Sequence, residues 1–249
     1  LLNFVIMLLI IIGGIGFLTW DDIYRHRMHM HRYHVQSKII LAATGLLILL
    51  PALLFYFIDF AEMPIKEGIS VSLFQAVTPR TAGFNTADLT KMTDVSQSIT
   101  IILMLIGGAP GSTAGGMKVT TPAVLSAAAF AAFRQRKDNV VWGRRIGEDV
   151  LRNALTVLLL YLTLFFVGAA VISLSEGLPF STCLYETASA VGTVGLTLGL
   201  TPQLGGLSQY ILISLMFLGR VGGLTLIYAA FSDHEISYSR FPKENITVG

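Results

Sequence analysis

Charge is scarce in this sequence, and so is cysteine. Of 249 residues, 13% are charged and 53% are hydrophobic, whereas a soluble domain carries about 25% charge. With a mean hydropathy of +0.70, the composition is that of a membrane protein. The lone cysteine, Cys183, excludes an intramolecular disulfide and any cysteine-based metal cage. Also missing are a His-Glu-x-x-His pattern and a nucleophile paired with a base, which argues against an intramembrane enzyme. The opening run has no basic leader, no initiating methionine and no small-residue cleavage site. It is expected to be a membrane segment in the middle of a longer protein, not a signal peptide.

Apolar runs are what the sequence has in quantity. Leu1 to Leu18 and Ile39 to Ile58 are long enough to cross about 30 Å of hydrocarbon. Ser98 to Phe133, Ala154 to Leu174 and Leu207 to Phe231 have the length but are interrupted by glycine. Two loops are basic: Arg25 to Lys38, and Arg134 to Arg152 with Arg136, Lys137, Arg144 and Arg145. The connections near Asp59 to Glu67 and at Glu176 are acidic or neutral. Because basic loops stay cytoplasmic, the chain is expected to enter from outside and to end inside after Phe231. Asn245-Ile-Thr247 is then no glycosylation site.

A duplication organises these runs. Thr81-Ala-Gly-Phe84 has a second copy in Thr193-Val-Gly-Leu196, and each central glycine, Gly83 and Gly195, precedes a glycine of the next apolar run, Gly107 and Gly219, by 24 residues. A second pattern occurs three times without a gap. It reads Ile12-Gly-Gly-Ile-Gly-Phe-Leu-Thr19, Ile106-Gly-Gly-Ala-Pro-Gly-Ser-Thr113 and Leu218-Gly-Arg-Val-Gly-Gly-Leu-Thr225, at spacings of 94 and 112 residues. Repeats of this kind decide architecture before any local motif does. The unit predicted is an outer helix, a short half-helix, a loop and an inner helix: first around Ile69 to Val77 between Asp59 and Thr93, then as Ala154 to Leu174, Leu178 to Ala190, Val191 to Gly199 and Leu207 to Phe231. Successive copies run in the same direction, which favours a pore over a carrier built on inverted repeats.

Non-helical backbone at membrane depth must face protein or water. A re-entrant loop with a central glycine is the geometry of a selectivity filter, in which carbonyls replace an ion's hydration shell. The half-helix before it turns its negative end towards the loop and favours a cation. The run from Gly107 to Gly116 holds Gly108, Pro110, Gly111, Ser112, Thr113 and Gly115. Proline removes a donor and each glycine weakens a helix by roughly 1 kcal/mol relative to alanine, so an unwound intramembrane loop is expected. Gly111 to Lys118 superficially resembles a phosphate-binding loop, but its glycine and lysine are not adjacent and it follows a membrane helix, so it fails that context. Lys118 is expected to snorkel to the cytoplasmic interface. Arg220, an ionisable group inside an apolar run, is a functional candidate by that fact alone. His26, His29, His31 and His34 are read as a solvated cytoplasmic surface and not as a metal site, and Gln75 and Glu186 as braces for the two loops.

Thr78-Pro-Arg-Thr-Ala-Gly-Phe-Asn-Thr86, Gly107-Gly-Ala-Pro-Gly-Ser-Thr-Ala-Gly-Gly-Met-Lys118 and Ser189-Ala-Val-Gly-Thr-Val-Gly-Leu196 resemble the third and fourth repeats of the Trk/Ktr/HKT potassium transporter superfamily, nearest its KtrB and TrkH subunits. The likeness runs over essentially the whole chain. It implies an all-α integral membrane fold of helix, pore-loop, helix units with a pseudo-four-fold pore, the first repeat and most of the second being absent from these residues. The divisions expected are 1–36, an inner helix of the second repeat with its loop; 37–145, the third repeat with an interrupted inner helix; and 146–249, the fourth repeat with a cytoplasmic tail. The implied activity is potassium uptake through the bacterial inner membrane, with a sodium-permeable or sodium-coupled transporter as the alternative. The ion would be held by backbone carbonyls of Thr81, Ala82, Gly83, Phe84, Thr193, Val194, Gly195 and Leu196. The implied gate comprises Gly107, Gly108, Gly111, Ser112, Thr113, Gly115, Gly116 and Arg220. The implied partners are a second copy, forming a homodimer, and a cytoplasmic RCK-type ring like KtrA or TrkA that carries the regulatory nucleotide. Membrane lipid surrounds the protein, and neither nucleic acid nor a catalytic residue is expected.

Overall fold

The computed structural model describes residues 2–27, 29–136 and 138–222. Among them the regular elements are helices, apart from a hairpin of two-residue strands, β1 (Val140–Val141) and β2 (Arg144–Arg145), inside the second basic loop. The rest of Leu207 to Phe231 beyond Gly222, Thr225 of the third motif copy and the Asn245-Ile-Thr247 tail lie outside the described residues.

Two helices, α3 (Val35–Asp59) and α7 (Glu148–Glu176), are long and apolar enough to cross a membrane. Each is followed by a short helix, α4 (Ile65–Val77) or α8 (Phe180–Val191), then by a turn, and then by a further apolar helix, α5 (Asp94–Leu105) or α9 (Gly206–Val221). The starts of α5 and α9 lie 112 residues apart, the same interval that separates Thr81 from Thr193. The turn and the last helix of each unit are therefore in one register, whereas α4 and α8 start 115 residues apart. The short helix α4 begins four residues before the expected Ile69 because Pro64 directly precedes it, as Pro179 precedes α8; proline pre-sets a helical φ where an N–H would have no partner. At α5, Thr93 supplies the cap by accepting from Ser96 N–H at 3.4 Å, with Asp94 in the first turn, which suits the positive end of the dipole. Gly177, at φ 65°, ends α7 in the left-handed conformation usual for that position.

The two units share one core. Phe55 of α3, Ala76 of α4, Met104 of α5, and Tyr185 and Ala188 of α8 are all buried in a single cluster. A second cluster joins Tyr161 and Ile172 of α7, Val191 of α8 and Leu215 of α9. Outward, Leu46, Leu49, Leu53 and Phe57 leave α3 exposed. In lipid such contacts gain little from leaving water, so the association rests on close packing and interhelical hydrogen bonds.

One expected span does not run straight. The Leu1 to Thr19 run breaks after α1 (Leu2–Gly14), and α2 (Phe17–His26) turns away by 94°. The glycines of the first motif copy permit the break, and Trp20 Nε1 donates across it to the Ile12 carbonyl at 3.0 Å. Buried Asp22 ties α2 to α3: its carboxylate accepts from the His34 N–H at 3.0 Å and the Ser37 hydroxyl at 2.5 Å, and its Oδ1 lies 2.7 Å from His34 Nδ1. His29, His31 and His34 are exposed as expected, while His26 is half-buried.

Candidate ion pathway

Each turn after a short helix has the same backbone form. Thr81 and Gly83 have φ of 62° and 71°, and Thr193 and Gly195 have 52° and 93°. A β-branched residue at positive φ is a genuine outlier, and strain of this kind persists only where the surroundings over-determine it. Alternating left-handed residues turn successive carbonyls, and both turns share this backbone form. The first turn is tied by the Thr78 hydroxyl, which donates to the Phe84 carbonyl, and by Ala82 N–H to Thr78 O at 3.2 Å. The second is tied by Val194 N–H to Ser189 O at 2.8 Å and Gly195 N–H to Ser189 Oγ at 3.1 Å.

The two turns touch. A Cβ placed on Gly83 would overlap the Val194 carbonyl, whereas one placed on Gly195 would meet nothing within 4 Å. Gly195 therefore faces open space and Gly83 faces its counterpart. The turns also differ at their outer ends, since Leu196 is buried and Phe84 is 54% exposed.

Below the second turn lies the unwound segment. Between α5 and α6 (Thr120–Phe133), residues 106–119 form no helix. Gly107 N–H donates to Met117 O at 2.8 Å, Met117 N–H to Leu105 O at 3.2 Å, and Val119 N–H to Gly108 O at 3.0 Å, which folds the segment back on itself. All three copies of the glycine motif meet here. Ala109 N–H and Thr113 N–H donate to the Gly14 and Gly13 carbonyls at 2.8 and 3.4 Å, Phe17 N–H donates to Gly111 O at 3.2 Å, and Gly116 N–H donates to Gly219 O at 3.2 Å. Arg220 Nη1 donates to Thr113 O at 2.6 Å, and Ala114 N–H donates to Ser112 Oγ at 3.3 Å. A Cβ on Gly115 would strike the Thr193 side chain, and one on Gly219 would strike the Val191 carbonyl. The segment and α9 are thus packed backbone-close against the turn. Contacts thus join Gly83 to Val194, and the unwound segment to Thr193, Gly219 and Arg220.

Several side chains have partners that the sequence did not indicate. Lys118 is half-buried and donates to the Ala114 carbonyl at 2.5 Å. Gln75 and Glu186 are not counterparts, since the 112-residue register places Glu186 opposite Phe74. Glu186 does brace its loop, accepting from Thr197 Oγ1 at 2.6 Å, Leu198 N–H at 3.0 Å and Thr201 Oγ1 at 2.5 Å. Gln75 makes no such bond among the described residues, although it is buried. Sequence reasoning also passed over Arg80, which is buried beside the first turn with Nη2 3.3 Å from Thr44 Oγ1; a charged residue inside the Thr78 to Thr86 stretch was the available signal.

Residues 1–238 match the family described as TrkH, cation transport protein. The chain is 36% identical over 253 residues to the Ktr system potassium uptake protein B of Bacillus subtilis, covering 99% of this chain and 56% of that one. It is 35% identical to the protein of the same name from Vibrio alginolyticus, covering 100% of this chain and 56% of that one. It is 36% identical to the potassium/sodium uptake protein NtpJ of Enterococcus hirae, covering 98% and 56%. The chain thus spans about half the length of the curated relatives it matches. The crystal structure of the potassium transporter TrkH from Vibrio parahaemolyticus superposes with a TM-score of 0.73 at 20% identity, over 91% of this chain and 51% of that one.

Proposed function

The chain belongs to the TrkH family of cation transport proteins, and on that premise we propose that it conducts potassium across the plasma membrane as part of the pore-forming subunit of a Ktr/Trk-type uptake system. The observation that carries this reading is the pair of strained turns, Thr81 to Phe84 and Thr193 to Leu196, in contact at Gly83 and Val194. Such turns present carbonyls as substitutes for a hydration shell, and the C-terminal ends of α4 and α8 add a field that favours a cation. The segment 107–116, with Arg220 bound to it, is the gate. Its contacts with Thr193 and Gly192 support a position on the path of an ion leaving the second turn.

Two turns close half of a four-fold ring, so the reading requires two more, carried outside residues 1–249. It also includes a homodimer, a cytoplasmic C-terminus and an RCK-type ring that binds the regulatory nucleotide. The basic stretch from Arg25 to Lys38, which runs from the end of α2 to the start of α3, is on the face such a ring would meet. Sodium permeation is the second reading, favoured by the likeness to a potassium/sodium uptake protein.

Growth of a potassium-uptake-deficient bacterium separates these statements. The intact transporter carrying this chain is expected to restore growth at low potassium, and residues 1–249 expressed alone are not. Rescue by residues 1–249 alone would contradict the four-segment ring; equal sodium and potassium uptake by the intact transporter would favour the second reading.

A further inference from the structure

Two cations hold neighbouring carbonyls of the unwound segment. Arg220, on α9, donates to Thr113 O at 2.6 Å, and Lys118, within the segment itself, donates to Ala114 O at 2.5 Å. No carboxylate lies within ion-pair distance of either among the described residues. Like charges brought to adjacent peptide units repel, more strongly where water is scarce. The arrangement therefore needs a return, and the carbonyls provide it through charge-assisted hydrogen bonds.

The segment is also held by its own backbone. Its N–H groups are used elsewhere: Ala109 and Thr113 on the end of α1, Gly107 on Met117, and Gly116 on Gly219. Among the carbonyls those bonds leave over are the adjacent ones of Thr113 and Ala114, and adjacent carbonyls are the kind of ligand a potassium ion seeks. A cation passing the Thr193 turn meets this segment next, since Gly115 lies against the Thr193 side chain.

The geometry points to Lys118 as a second latch residue acting with Arg220. Its ammonium occupies the Ala114 carbonyl as the guanidinium occupies that of Thr113. Together the two tethered charges fill the sites a departing potassium ion would use and repel the ion itself. Lys118 positions the segment and sets its charge; it contributes no ligand to the ion. This rests on the reading of 107–116 as a gate.

The test uses the intact transporter in proteoliposomes, with potassium flux measured at several imposed membrane potentials. Lys118→Met is expected to raise flux about tenfold, equivalent to ~1.4 kcal/mol off a barrier, and to alter the ratio of inward to outward flux. Lys118→Arg, which keeps the charge, restores wild-type flux and the wild-type ratio. Lys118→Met combined with Arg220→Met gives less than the product of the single effects, because both act on one barrier. Should Lys118→Met fail to fold, Lys118→Gln takes its place, keeping an N–H donor for the carbonyl without the charge, and raised flux is again expected. If Arg220→Met raises flux while the uncharged Lys118 variants leave flux and ratio unchanged, the gate stands with a single latch and the proposal is overturned. If Arg220→Met has no effect either, the gate reading falls with it.

Discussion

Replacing Gly195 by serine is expected to remove most discrimination between potassium and sodium while leaving the fold intact. At φ 93° an L-residue is strained, at a cost of about 1–2 kcal/mol. The added Cβ meets nothing within 4 Å, so it enters the open space that the carbonyls line and packs against no neighbour. The potassium-to-sodium flux ratio should fall by at least about tenfold, corresponding to ~1.4 kcal/mol of lost discrimination. Gly83→Ser should do more damage, because its Cβ runs into the Val194 carbonyl and must displace the partner turn. Reduced yield as well as reduced selectivity is expected there. The measurement is a flux ratio in proteoliposomes alongside a thermal melt. An unchanged ratio in a folded Gly195→Ser protein would show that this turn does not line the ion path.

Deleting Ser112 to Gly115 should have the opposite sign. It removes the Thr113 and Ala114 carbonyls held by Arg220 and Lys118, the Thr113 bond to the Gly13 carbonyl and the contact of Gly115 with Thr193. What remains cannot fill the space below the turn. Potassium flux is expected to rise by about tenfold or more, each ~1.4 kcal/mol off a barrier being tenfold in rate, and to depend less on the cytoplasmic regulator. Flux with and without the regulatory ring decides the matter. A deletion that folds normally and conducts no faster makes the segment packing and not a gate.

The duplicated unit was legible because its signals are local. Apolar run length and the glycine-rich run from Gly107 to Gly116 each act over a few residues, whereas Pro64, which starts α4 four residues early, went unused. The 94° turn at Gly14 was missed although its motif copy aligns with the one read correctly as a break. In the first copy Ile15 and Phe17 keep the run apolar, and apolarity alone cannot distinguish a straight span from a bent one. The pairing of Lys118 with Ala114 was not legible, since a lysine at the end of an apolar stretch ordinarily snorkels. Its partner is set by how residues 106–119 fold back, which is a tertiary fact. The asymmetry between Glu186, bonded three times, and Phe74 opposite it in the 112-residue register could not be read from either helix alone. Buried Asp22 depends on α2 turning towards α3, so an expectation of a straight helix could not contain it.

The central claim is that backbone carbonyls of the two strained turns hold the permeating ion. The most direct test is to soak crystals of the intact transporter in thallium, which stands in for potassium, and to locate it by anomalous scattering. The account predicts peaks on the line between the carbonyls of Thr81 to Gly83 and those of Thr193 to Gly195, lost in Gly195→Ser. Thallium bound elsewhere, with none at these carbonyls in a transporter that conducts, would contradict it.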